Sequence, residues 1–295
     1  MHKQADTVIR FILENRSVRG VWVRLQKSYQ DVLANHQYDV PARQLLGESL
    51  AAAVVLSRTI KLQGRLALQA RGEGVLRLLV AECTHDAGIR GILEFCGNPA
   101  DVVAGTGDVL SLRQALGNGY LAVTLLPDDG DSYQGIVPLR GEKLQDCLAE
   151  YFLQSEQLAT AMWFCCDGEQ AVGLLLQALP AGDVETAAED WQHIYTLAST
   201  ITHKELLSLP CEDMLHRLFH EEDVRLFDGD PVRFQCTCSV ERSRNALVLL
   251  GRDELQKIFA ERDTVSVDCQ FCGRHYQYTP EDMSGVLGEQ PAQLH

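Results

Sequence analysis

The chain has 295 residues, 46% of them hydrophobic, enough to bury more than one core and too apolar for a disordered polymer. Its 26 Lys and Arg against 41 Asp and Glu give a formal charge of -15, which repels phosphate backbones and anionic lipid surfaces. No apolar run reaches the ~18 residues that span a bilayer, and Arg10 and Glu14 bracket too short an apolar stretch for a signal peptide, so a soluble cytoplasmic protein with neither membrane nor nucleic acid as partner is expected.

Residues 1–180 predict one α+β domain. Thr7 to Leu13 and Val18 to Leu25 are β-rich runs, and Pro41 to Ile60 has the small, apolar composition of a buried helix. Leu66 to Ala70 and Val75 to Cys83 flank the turn Arg71 to Gly74, a hairpin signal. The pattern repeats in Tyr120 to Leu126 with Tyr133 to Pro138 and in Thr160 to Cys166 with Ala171 to Leu176, so antiparallel pairing is expected. Between these, Leu144, Cys147, Leu148, Tyr151 and Phe152 form one apolar stripe at helical spacing.

From Ala181 to Asp230 twelve acidic residues meet only Lys204, Arg217 and Arg225, a local charge of -9. Apolar spacing at Trp191, Ile194, Tyr195 and Ala198, and at Leu215, Leu218 and Phe219, predicts amphipathic helices. With so much like charge they should be weak alone and need another surface to pack on, which makes 181–230 an acidic helical linker.

Residues 231–295 are too few to rely on a hydrophobic core without a staple. Cys236-Thr237-Cys238 and, 30 residues on, Cys269-Gln270-Phe271-Cys272 supply four soft ligands in two local pairs, the donor set of a tetrahedral Zn2+ site, with Gly273 allowing a tight knuckle. Between the pairs, Glu241 to Leu250 reads as a helix stopped at Gly251, and Asp253 with Gln256 as the capping box of another. Val265 and Val267, then Tyr276 and Tyr278, alternate as short strands around the knuckle. Four thiolates close the coordination shell and leave no position for water or substrate, which disfavours zinc hydrolysis. His275 is an alternative ligand. The other six cysteines, Cys83, Cys96, Cys147, Cys165, Cys166 and Cys211, are scattered in mostly apolar surroundings and read as small buried hydrophobes, with Cys165 and Cys166 on opposite faces of a strand.

Two functions fit a four-cysteine zinc domain: an inert structural site, as in a zinc ribbon that binds nucleic acid, and a redox switch. Seven basic residues after Pro231 face nine acidic ones, so no basic stripe supports the ribbon. Zinc holds its sulfurs as thiolates, the form that peroxide attacks, and a C-x-C pair has both sulfurs within disulfide reach once metal is gone. Oxidation would eject the metal and melt the domain, because each local disulfide closes only a tiny loop. No catalytic signature is present. Gly105-Thr106-Gly107 is the nearest to a dinucleotide loop and lacks its third glycine, so an enzyme is not expected.

These residues resemble the redox-regulated 33 kDa heat shock chaperone family of bacteria. The zinc segment FQCTCSVER from Phe234, LLGRDEL from Leu249 and VDCQFC from Val267 with Tyr276 is similar to the family's signature. Gly72 to Gly74, YQGIVPLRG from Tyr133 and YFLQSEQL from Tyr151 resemble its N-terminal segments. The resemblance implies an ATP-independent holdase of the stress response that binds unfolding proteins and prevents their aggregation. It would be inactive when reduced with one Zn2+ per chain, and active when oxidised with disulfides Cys236 to Cys238 and Cys269 to Cys272. It also implies a homodimer on activation and a linker that unfolds. Trp191, Ile194, Tyr195, Leu215, Leu218 and Phe219 are then the candidate client-contact residues.

Overall fold

Apolar runs too continuous for a one-sided sheet dominate the first half of the chain, and the computed structural model, which describes residues 5–96, 111–155, 158–180 and 184–285, covers them on both faces. The chain divides into two compact units, Met1–Gln235 and Cys236–His295. The expected α+β class is borne out.

In the first unit β1 (Thr7–Leu13) and β2 (Val18–Leu25) form a hairpin, followed by α1 (Lys27–Leu33) and α2 (Val40–Ser57). Next come β3 (Gly64–Gly72), β4 (Leu76–Thr84) and β5 (Gly88–Phe95) in a meander. Then follow α3 (Leu112–Leu116), the hairpin β6 (Gly119–Pro127) and β7 (Tyr133–Pro138), α4 (Leu144–Ser155), and the hairpin β8 (Thr160–Cys166) and β9 (Ala171–Ala178). The acidic stretch contains α5 (Val184–Ala198), α6 (His203–Ser208) and α7 (Cys211–Phe219), and the unit closes with β10 (Val224–Leu226), β11 (Asp230–Pro231) and β12 (Arg233–Phe234). Strands β5, β10, β11 and β12 and helices α1, α3 and α6 are additions to the expected list. The Gly105 to Gly107 segment lies outside the described residues, as do 156–157 of YFLQSEQL and 181–183 of the acidic stretch.

The strands make two sheets, ordered β10-β1-β2-β9-β8 and β12-β5-β4-β3-β6-β7, antiparallel except where β12 joins β5. Helix α2 packs against strands of both. Its Ala51, Ala52, Ala53, Val54 and Val55 are wholly buried, as a helix enclosed on all sides requires, and Asp39 caps its start by accepting from the Ala42 amide at 3.0 Å.

The two-residue period of the first sheet sorts its side chains between two cores. Val8, Val21, Val23, Leu175, Phe164 and Cys166 point to the α2 side. Phe11, Leu13, Trp22, Leu174, Leu176 and Cys165 point to the other, where Ile194, Leu206, Met214, Leu215, Leu218 and Phe219 from the acidic helices cover them. Cys165 and Cys166 thus face different cores, as expected. Of the six scattered cysteines, Cys96 departs from the reading and is exposed, whereas the other five are buried. Burial pushes the Cys83 and Cys165 thiols up to about 11 and Cys166 to about 12, so they are poor nucleophiles at neutral pH.

Two arginines, Arg24 on β2 and Arg16 in the turn between β1 and β2, hold the acidic stretch. Arg24, stacked over the Trp22 indole, donates through Nη2 to the carbonyls of Leu207 at 3.1 Å and Leu209 at 2.7 Å, at the end of α6 where carbonyls lack intrahelical partners. The Trp22 Nε1 and Arg24 Nε atoms are buried beside these contacts and meet no protein acceptor. Arg16 bonds Asp190 at 2.7 Å and Glu222 at 2.9 Å, and Glu222, with its side chain 3% exposed, also accepts from Asn15 at 2.7 Å and contacts His193 at 2.8 Å.

Burial alone would raise the Glu222 carboxyl, but the bonds from Arg16, His193 and Asn15 outweigh it and hold the group below the ordinary carboxylate range. A depressed native value stabilises the ionised, folded form. The contribution is therefore complete above the unfolded value of ~4.3 and is lost as pH falls through the lower native one. Amide exchange over α5 and α7 should rise in that acidic window, and Glu222→Gln should remove the pH dependence.

Candidate metal centre

Two segments present the C-terminal thiols: the extended chain before α8 (Val240–Val248) and, after α9 (Arg252–Glu261), the turn of the hairpin of β13 (Val265–Asp268) and β14 (His275–Tyr278). The hairpin opens at the C-x-x-C knuckle, with Val267 opposite Tyr276 and Asp268 opposite His275. In the knuckle, the Gly273 amide donates to the Cys269 carbonyl at 2.8 Å and Gly273 takes φ +68°, a conformation that disfavours a side chain. The expected capping box at Asp253 does not form. Gly251 is the N-cap of α9 instead, which places Asp253 and Glu254 in the first turn, where carboxylates favour the helix dipole.

The C-x-C pair is held by a residue that composition counted only as a charge. Arg242, on α8, donates from Nη1 to both the carbonyl and the hydroxyl oxygen of Thr237 at 2.7 Å, fixing the peptide between the two cysteines. Ser239 caps α8 by accepting from the Arg242 amide at 3.2 Å, so helix start and loop are locked together.

All four sulfurs lie within 4.8 Å of one another, with Cys236 and Cys269 Sγ 3.6 Å apart and Cys238 and Cys272 Sγ 3.5 Å apart. Zn2+ with ~2.3 Å bonds to tetrahedral sulfurs needs them ~3.8 Å apart. The donor set fits that ion. Among the described residues this is the one cluster of three or more metal-ligating groups. His275 is not part of it: its Nδ1 pairs with Asp268 at 2.7 Å on the opposite face of β14 from Tyr276, so the alternative ligand is set aside.

Tyr276 points inward, and its hydroxyl donates to Cys238 Sγ at 3.1 Å. Burial works to raise the Cys238 thiol, but the bonds from Tyr276 and the other thiols outweigh it and bring the group down to about 7. Burial pushes Cys236 up to about 12 and Cys272 above its ordinary value. The core beneath them is small: Leu247, Leu255, Tyr276, Tyr278 and Met283, with Cys238 and Cys269 packed against it. The four cysteines were legible from spacing, but Tyr276 and Arg242 as their partners were not. The signal for Tyr276 was its alternation with Tyr278 on a strand beside the knuckle.

The six candidate client-contact residues fall in the acidic helices. Ile194, Leu215, Leu218 and Phe219 are buried against the first sheet, Trp191 is half-buried, and Tyr195 is 41% exposed and stacks on Trp191.

Comparison with known proteins agrees over nearly the whole chain. The sequence model of the Hsp33 protein family matches residues 6–279. The chain is 46% identical to the 33 kDa chaperonin of Azotobacter vinelandii over 286 residues, covering 96% of this chain and 94% of that one. It is 47% identical to that of Pseudomonas fluorescens, covering 96% and 93%. The crystal structure of the 33 kDa chaperonin, heat shock protein 33 homolog, from Thermotoga maritima matches with a TM-score of 0.80 at 23% identity, covering 96% of this chain and 98% of that one. Among the described residues no helix is long and apolar enough to cross a membrane. The spacing of four cysteines, the two-sheet unit before them and the full-length match to these chaperonins place the chain in the Hsp33 family of chaperones.

Proposed function

We propose that this chaperone is an ATP-independent cytoplasmic holdase switched by oxidation, inactive with its thiols reduced around one Zn2+ and active with them as disulfides. The observation that carries the reading is the closed cluster of four sulfurs over a core of five buried side chains, a unit that depends on its cross-link. Zinc, when bound, keeps all four sulfurs as thiolates and joins the C-x-C loop to the knuckle. Two peroxide molecules then take four electrons from Cys236, Cys238, Cys269 and Cys272, and four protons are taken up. Two S–S bonds form, Cys236 to Cys238 and Cys269 to Cys272, and four waters and the divalent ion are released. Neither disulfide ties the loop to the knuckle, so the unit opens.

Residues 181–230 supply the client-binding surface. Their helices hold an apolar face against the first sheet while carrying a large excess of carboxylates. On activation this linker leaves the sheet, exposing Trp191, Ile194, Tyr195, Leu215, Leu218 and Phe219 to unfolding clients, with its charge keeping the complexes soluble. Dimerisation of the activated chain enlarges the binding surface. Catalysis, nucleic acid and membranes have no part in this reading.

Peroxide treatment at mildly raised temperature, with zinc release and free thiols counted beside light scattering from an unfolding client, tests it. One zinc lost, four thiols lost and suppressed scattering are expected together. Retained metal with four free thiols and no suppression would leave only an inert structural site.

A further inference from the structure

Helix α7 carries two faces of opposite character. Cys211, Met214, Leu215, Leu218 and Phe219 are buried against the first sheet, while Glu212, Asp213, His216, Arg217 and His220 are exposed. His216 and His220 stand four residues apart with ring centroids 6.3 Å from one another. His220 is the C-cap, with φ -65° and ψ -16°, so the helical path continues through the pair and both rings project from the same side of the last turn. His216 takes no hydrogen bond, and His220 has only a 3.9 Å contact to Glu221.

From this arrangement we infer that His216 and His220 form a second metal site, a two-imidazole clip for a borderline divalent ion such as Zn2+ or Ni2+, on the solvent face of the acidic linker. Imidazoles at i and i+4 on one helix face are a spacing that lets both nitrogens reach one ion. Bonds of ~2.0 to 2.1 Å to a tetrahedral ion place two ring centroids ~5 Å apart, within a side-chain rotation of the observed separation. The electrostatics favour a cation twice over. The pair sits at the carboxyl end of the helix, where the dipole is negative, and Glu221, Asp213 and Glu212 flank it in a linker of charge -9. Water completes the shell, so the site is open and weaker than the four-sulfur one.

The clip acts on stability because it exists only while the last turn is helical. An ion that binds the wound turn and not the unwound one shifts the equilibrium toward winding, by about 100-fold when free ion exceeds its dissociation constant 100-fold. That turn also buries Leu218 and Phe219, so binding on the outer face holds the inner face on the sheet. Divalent metal should therefore oppose linker release. The site stands on geometry alone, and only its effect on activation rests on the proposed switch.

The test titrates Ni2+ into the reduced, zinc-loaded full chain, with the zinc count confirmed by native mass spectrometry. Amide exchange over residues 211–220 should slow progressively with Ni2+ and be indifferent to Mg2+, which prefers oxygen ligands. His216→Ala, at an exposed position and with a better helix former, should abolish the slowing measured against its own metal-free exchange while leaving the zinc count unchanged. Equal slowing in His216→Ala, or none in the parent chain, would overturn the site. In the same samples Ni2+ should delay peroxide activation of the parent and not of His216→Ala. Slowed exchange without that delay would keep the site and reject its link to linker release.

Discussion

Removing the metal from the reduced chain, or replacing Cys269 with serine, should melt Cys236 to Gly285 and leave the two sheets around α2 folded. Zinc bound by thiolates in small domains contributes ~10 to 16 kcal/mol, whereas folded domains retain only ~5 to 15 kcal/mol in total. The C-terminal core has five buried side chains, one of them Tyr278, whose hydroxyl is occupied by Ser243 and by the Val240 carbonyl. Such a core cannot absorb the loss, and serine supplies no soft ligand in place of the thiolate. The first unit has its own extensive core between two sheets and shares none of those residues. Amide exchange should show protection lost over α8, α9, β13 and β14 and retained in β3, β4 and β6. Persistent protection of the hairpin without metal would mean that the four sulfurs are dispensable for folding.

Truncating Phe219 should have the largest effect of any single change in the acidic helices. Its ring is 1% exposed, at the centre of the core that Trp22, Leu174 and Leu176 share with α5 and α7. A buried phenylalanine replaced by alanine typically costs ~3 to 5 kcal/mol, from lost transfer free energy and the cavity left behind. The helices it anchors are short and carry like charge, so little else opposes their release. Phe219→Ala should raise exchange over residues 184–222 in the reduced, metal-bound protein while the α2 core stays protected. Under the proposed switch the variant should also suppress client aggregation without oxidant. Leu153→Ala, at a site 76% exposed, is the control and should change neither.

The sequence was most informative where one residue type carries one chemistry. Four cysteines at C-x-C and C-x-x-C spacing specified a ligand set before any tertiary contact was known, and apolar runs flanking a turn, such as Thr160 to Cys166 with Ala171 to Leu176, paired as expected. Strand β5 escaped because Gly88 and Gly91 look like turn residues. Gly91 instead lies beneath α2, where a Cβ would stand 2.9 Å from Leu46 Cδ1 and 2.8 Å from the Val80 carbonyl oxygen. Helices α1 and α3, at seven and five residues, are too short for apolar periodicity to register. Arg242 and Tyr276 escaped for a different reason. Their roles depend on which loop lies within reach of a long side chain, and that is decided only when α8 and the hairpin have packed.

The indole nitrogen of Trp22 and the Nε of Arg24, shut away without acceptors, give the resting state a built-in grievance. A buried donor that no bound water reaches detracts ~1 to 3 kcal/mol from the state that hides it, a cost that is absent once the site is open to solvent. The sheet thus pulls the linker in with apolar area and Arg24's other donors, and pushes it away with these two atoms. Trp22→Phe removes one of these donors, and under the proposed switch it shifts the balance between covered and released linker without touching a cysteine.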